Sequence, residues 1–173
     1  MKNILFFICA ILLLASCKKE EPEFQEITYC GSARAEMNGE KWSTSKITGR
    51  QLKHQTSIFT LDMFEENNGF NVLAHSLINI PLAEGRYDLH IWEENGNIGT
   101  RFVFLDGDAL LGGHVLLESD TLNHVTIDEY DPETRRVRGR FHATYVVVPP
   151  NTWNLPDTVR LTDGQFSTQI LEW

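Results

Sequence analysis

The chain has 173 residues and a formal net charge of −9, an acidic balance that lacks the basic footprint needed to bind nucleic acid and disfavours adsorption to anionic lipid by charge. Its length suits one domain with a real hydrophobic core. The first residues differ in composition from everything after them: Lys2 is followed by an apolar run from Ile4 to Leu14. Such a run is too short to cross a bilayer core, which needs roughly 20 helical residues. A basic start, a short apolar region and the small residues Ala15 and Ser16 are the parts of a secretory signal, so residues 1–16 read as an export signal that is removed.

The next residue is Cys17, and Leu14-Ala15-Ser16-Cys17 resembles the lipobox of bacterial lipoproteins. In that family a peptidase cuts before the cysteine, whose sulfur carries a diacylglycerol and whose freed amine carries a third acyl chain. The resemblance implies a membrane partner through an N-terminal lipid anchor, since two or three acyl chains hold a soluble domain on a bilayer where one does not. Cys9 leaves with the signal and Cys17 takes the lipid, so Cys30 has no disulfide partner. Nothing in Thr28-Tyr29-Cys30-Gly31-Ser32 supplies the cationic neighbours that activate a thiol, and Cys30 reads as a small, inert hydrophobe.

Residues 17–26 form a charged stretch containing Pro22 and no apolar period, which reads as a flexible tether. Cys17-Lys18-Lys19-Glu20-Glu21 is similar to the pattern C-x-K-(D/E)-(D/E) that follows the lipidated cysteine in surface-displayed Bacteroidota lipoproteins. By that likeness Lys19, Glu20 and Glu21 act as an export signal to the cell surface, the alternative being a periplasm-facing anchor. The folded domain is expected over 27–173.

From Ile27 onward short apolar runs alternate with turn signals every eight to twelve residues or so, the spacing of a β-sandwich or barrel. Asn38-Gly39 lies between alternating segments, and both residues tolerate positive φ, which makes this the strongest short hairpin signal. Glu66-Asn67-Asn68-Gly69, Glu94-Asn95-Gly96-Asn97 and Asp106-Gly107-Asp108 are similar breaks. In Asp131-Pro132-Glu133-Thr134 the proline sits where its fixed φ suits a type I turn. Between the breaks the period is two: Tyr87, Leu89 and Ile91 alternate with Arg86, Asp88 and His90, and Phe141, Ala143, Tyr145 and Val147 with Arg140, His142 and Thr144. Phe166, Thr168 and Ile170 do the same near the end. The expected fold is all-β, an antiparallel sandwich of about nine to eleven strands with a lipocalin-like barrel as the alternative, and a turn or two of helix has room within Asp106 to Leu117 or in the tether.

Three motifs resemble small Bacteroidota lipoproteins grouped as domains of unknown function. They are the NG-x-x-W opening in Asn38-Gly39-Glu40-Lys41-Trp42, the hairpin from Asp128 and Asp131 to Val137-Arg138-Gly139-Arg140-Phe141, and the closing strand Thr162-Asp163-Gly164-Gln165-Phe166. The resemblance implies fold and compartment and carries no activity.

A search for chemistry yields little. No two of His54, His75, His90, His114, His124 and His142 have metal-ligand spacing with a carboxylate in place, and no H-E-x-x-H run occurs. Asp106-Gly107-Asp108 offers two carboxylates before turning apolar, too few for a calcium loop. There is no G-x-S-x-G elbow, while a glycosidase pair drawn from separate strands would leave no local trace. No metal and no cofactor is expected. The tryptophans carry the binding argument: Trp92 lies on the polar register beside His90 and Asp88, and Trp153 lies in the proline-rich segment from Val148 to Pro156. An aromatic in such a place either forms a platform for a sugar ring or peptide, or lies beneath a crossing loop. Trp42 reads as core and Trp173 as the closure of the last strand.

Three function classes follow. A surface-displayed binding or accessory module for a glycan or protein partner predicts an exposed aromatic patch at Trp92 or Trp153. A structural subunit of an envelope complex predicts a large flat apolar patch. A hydrolase, the least favoured since the chain reads as a non-enzyme, predicts a cleft with paired carboxylates and a strongly shifted pKa.

Overall fold

The structure, a computed structural model, describes residues 28–67, 71–93, 96–106, 109–150 and 155–173. The export signal, the tether with Cys17, Lys19, Glu20 and Glu21, and the loop residue Trp153 lie outside the described residues. Among those described there is no helix; twelve strands form one mixed sheet. They are β1 (Gly31–Met37), β2 (Glu40–Thr44), β3 (Lys46–Gln51), β4 (Ile58–Asn67), β5 (Asn71–Pro81), β6 (Gly85–Asp88), β7 (His90–Ile91), β8 (Gly99–Asp106), β9 (Ala109–Leu116), β10 (His124–Asp131), β11 (Arg136–Val147) and β12 (Thr158–Glu172).

The sheet folds over into two facing layers. One carries the order β2-β1-β12-β11-β10-β6 and the other β3-β4-β5-β8-β9. Two corners join them: the end of β12 runs parallel to β3 over Ile170–Glu172, and the end of β11 pairs with β9 over Tyr145–Val147. Free edges remain at β2 and β6, so the sheet is not a closed barrel. Between the layers lies an apolar core, with the rings of Phe102 and Tyr145 stacked across the gap at 5.3 Å and the rings of His75 and Phe141 also 5.3 Å apart.

The all-β expectation holds, with three corrections. The count is twelve, because the run read as one strand through Tyr87, Leu89 and Ile91 is two. At buried Leu89 the chain changes layer: β6 pairs with β10, while β7 runs parallel to β8. The sheet is therefore mixed, through β7–β8 and β12–β3. Finally, the helical turn allowed within Asp106 to Leu117 is absent from the described residues there. Ala109–Leu116 is strand β9, held by pairing to β8 on one side and β11 on the other, which outweighs local preference.

The short motifs explain much of the sheet. Asn38 and Gly39 take φ of 53° and 85° and close the β1–β2 hairpin. Asp131 Oδ1 accepts the Glu133 amide at 2.9 Å and its Oδ2 the Thr134 hydroxyl at 2.6 Å, fixing the β10–β11 turn. The two G-x-F motifs interlock. In the β11–β12 register Gly139 stands opposite Phe166, and Phe141 opposite Gly164. Each ring lies over the other strand's glycine: a Cβ on Gly139 would stand 2.6 Å from the Phe166 ring, and one on Gly164 2.6 Å from the Phe141 ring. Beyond them β12 carries an extra residue against both neighbours, at Thr162–Asp163, with Asp163 at φ 51°. Such a bulge bends a strand, and here it lies in the part of β12 that pairs with β1 and β11, ahead of the Ile170–Glu172 corner.

One polar chain runs through the core. Tyr145 Oη lies 2.6 Å from His75 Nε2 and 2.7 Å from Thr100 Oγ1, and Thr100 donates to the Ser76 carbonyl at 2.8 Å. One assignment satisfies all three bonds: His75 Nε2–H donates to Tyr145, whose O–H donates to Thr100. It leaves the His75 Nδ1 lone pair, which has no partner, as an acceptor on a neutral ring. Burial pushes the His75 pKa down to about 3 and the Tyr145 hydroxyl well above its usual range.

Candidate functional site

Two of the depressions among the described residues bear on function. The smaller, a groove of about 470 Å³, is walled by Trp92 and Trp173, with Leu52 and Ile78 between and Gln55, Thr60 and Asn79 supplying polar groups. Trp92 is 38% exposed and Leu52 46%, a wet apolar pair in one hollow.

Both tryptophans are held in place. The Trp92 backbone lies directly on Gly99 of β8, where a Cβ would stand 2.7 Å from the Trp92 Cα; only glycine leaves that space. The loop that carries it is tied by the Asn97 amide to the Ile91 carbonyl at 3.0 Å and by the Asn79 amide to the Asn97 carbonyl at 2.9 Å. Trp173 is fixed by its own amide, which donates to the Gln51 carbonyl at 3.0 Å as an extension of the β12–β3 pairing.

An arginine sits over each ring. The Arg101 guanidinium is 5.7 Å from the Trp92 centroid and that of Arg50 5.6 Å from Trp173, an attraction of the cation to the ring's negative face. Arg50 is held from beneath by Asp62, a carboxylate only 3% exposed. Asp62 accepts Arg50 Nε at 2.7 Å and the Ser76 hydroxyl at 2.6 Å. The buried charge is thereby matched, and the Arg50–Trp173 wall is rigid before any ligand arrives.

The sequence-predicted site is thus partly assembled. Trp92 is exposed, as a platform must be. His90 and Asp88 are exposed too, yet neither lines the groove: Asp88 belongs to β6 and stands opposite His124 in the first layer, because the chain crosses at Leu89. Trp173 takes their place, 81 positions away in sequence, and no local signal announces it. Trp42 is core, its Nε1 donating to Glu65 at 2.5 Å, and Cys30 is half-buried.

The larger depression, about 980 Å³, is an open trough across the outer face of the first layer. Arg34, Arg138, Arg140, Asp128, Glu129 and Gln165 line it, with serines along its length. Asp128 and Glu129 are each engaged by a separate arginine: Arg140 reaches Asp128 with Nη2 at 2.7 Å and Nε at 3.0 Å, and Arg138 pairs with Glu129.

Comparison with family models, curated proteins and solved structures finds no match to this chain. Function therefore rests on the site itself. Among the described residues no group of three His, Cys, Asp or Glu side chains could hold a metal ion. The strongest pKa shift is that of His75, which lies inside the core and lines neither depression.

Proposed function

We propose that this chain is an exported, lipid-anchored module of the outer membrane, displayed at the cell surface, that binds a glycan or protein partner through the Trp92–Trp173 groove. The observation that carries the reading is the convergence on one hollow of two tryptophans that follow the ends of β7 and β12, each backed by an arginine. Flat apolar faces bordered by amides and hydroxyls suit a pyranose ring, which presents C–H groups on one face and hydroxyls at its rim. Arg50, pinned by Asp62, keeps its wall in place at low entropic cost to the ligand. A glycan is favoured over a protein partner because the hollow is small and partly enclosed.

Glycan-array screening of the full chain, followed by calorimetry on the best ligand, tests this. Trp92→Ala and Trp173→Ala should each weaken binding by a factor of about ten or more, the loss typical of a buried aromatic anchor. Unaltered affinity in both variants would remove the groove from the account.

The address is tested separately. Cys17→Ser should release the protein from the membrane fraction, since no other acyl attachment point is proposed. Protease shaving of intact cells distinguishes surface display from the periplasmic face. The likeness to Bacteroidota lipoproteins in the NG-x-x-W, R-G-R-F and D-G-Q-F motifs supports the same compartment.

A further inference from the structure

The trough on the first layer is chemically unlike the groove. It has no exposed aromatic, and Phe166 in its floor is buried. Three arginines face two carboxylates, a local surplus of positive charge on a chain whose net charge is −9. The surplus sits at one residue. Arg138 and Arg140 are each neutralised by Glu129 and Asp128, whereas Arg34 donates from Nη2 at 2.8 Å and Nε at 3.3 Å to Gln165 Oε1, an amide oxygen that balances no charge. The nearest carboxylate along β1, Glu36, stands opposite Lys41 in the β1–β2 register. Gln165 therefore aims the Arg34 guanidinium without neutralising it, and leaves donors for an oxyanion.

Hydroxyls complete the lining. Ser32, Ser43, Ser45 and Ser167 all border the trough, and their hydroxyls make no hydrogen bond among the described residues. Asp128 and Glu129 hold lone pairs beyond those their arginines use. The trough thus offers one uncompensated cation amid a field of hydroxyl donors and acceptors, the complement of a molecule bearing one oxyanion and many hydroxyls.

We infer that this trough is a second binding site, for an acidic saccharide whose carboxylate or sulfate sits on Arg34 and whose ring hydroxyls pair with the surrounding serines and carboxylates. Recognition here is by hydrogen bonds and charge, so it weakens with salt. It shares no residue with the Trp92–Trp173 groove and does not depend on it.

Calorimetry on the full chain in detergent, with tetragalacturonate as the acidic probe and maltotetraose as the neutral one, tests the site. Tetragalacturonate should bind and maltotetraose should leave the trough empty, with Arg34→Gln weakening the acidic probe at least about tenfold and Trp92→Ala leaving it unchanged. Arg34 is exposed, so Arg34→Gln should keep the parent melting temperature, and Arg34→Lys should recover part of the affinity. Failure of tetragalacturonate to bind, equal binding by Arg34→Gln, or loss of binding in Trp92→Ala instead would overturn the inference. The last of these would place the acidic ligand in the groove.

Discussion

Lowering the pH from 6.5 toward 3 is expected to remove about 4 kcal/mol of folding stability through His75 alone. Burial holds its folded pKa at about 3, against 6.5 for a free imidazole. Above 6.5 both states are neutral at this ring and its contribution is fully present. Below 6.5 the unfolded chain takes up a proton that the folded chain refuses, and stability falls by about 1.4 kcal/mol for each pH unit until the folded ring also titrates. Urea unfolding across that range measures the slope, and His75→Gln, which keeps a donor to Tyr145 but cannot titrate, should be flatter. His142, also lowered by burial, pushes in the same direction in both proteins. Asp120, held low by the Leu122 amide and the Thr144 hydroxyl, adds acid sensitivity in both only below 3.8. The difference between the two curves therefore isolates His75; parallel curves would show that the ring is not buried as described.

Adding a methyl group at Gly139 or Gly164 should destabilise the fold by about 1–3 kcal/mol each, the usual penalty of overpacking. In both cases the new carbon meets backbone as well as ring: the Thr126 carbonyl at 2.3 Å from Gly139 and the Phe141 carbonyl at 2.6 Å from Gly164. A ring can rotate away, while a strand must shift. Gly139→Ala should consequently weaken the β10–β11 pairing as well, visible as faster amide exchange over Val125–Ile127. Chemical denaturation of the two variants checks the magnitude. Wild-type stability in either would mean that the strands separate easily at the interlock.

The elements that the sequence makes legible are those with local causes. Asn38-Gly39 must turn, and Phe141, Ala143 and Tyr145 face inward as their alternation predicts, although of their polar neighbours Arg140 is exposed, His142 half-buried and Thr144 buried. The R-G-R-F and D-G-Q-F motifs are readable as motifs, but their meaning is not: each glycine is explained only by a ring on the other strand. The layer change at Leu89 is equally hidden, since the alternation of Tyr87, Leu89 and Ile91 runs on unbroken while the pairing partners switch from β10 to β8. For the same reason Asp88, four positions before Trp92 in sequence, is absent from its groove; His90 lies beyond the crossover on β7 and does not line the groove either, while Trp173 does. The core chain of His75, Tyr145 and Thr100 joins three strands, and no spacing rule links them.

Strand β12 spans 15 residues and pairs with β1, β11 and β3. Until Thr158–Glu172 have been synthesised, β1 and β2 lack the strand that joins them to the first layer and β11 lacks one of its three pairing partners. Contacts this distant in sequence are slow to form, because the loop must close before any of them is rewarded. A chain arranged in this way stays open while it is being made. On the export route proposed above, a keystone strand over Thr158–Glu172 would defer the native state to the far side of the membrane.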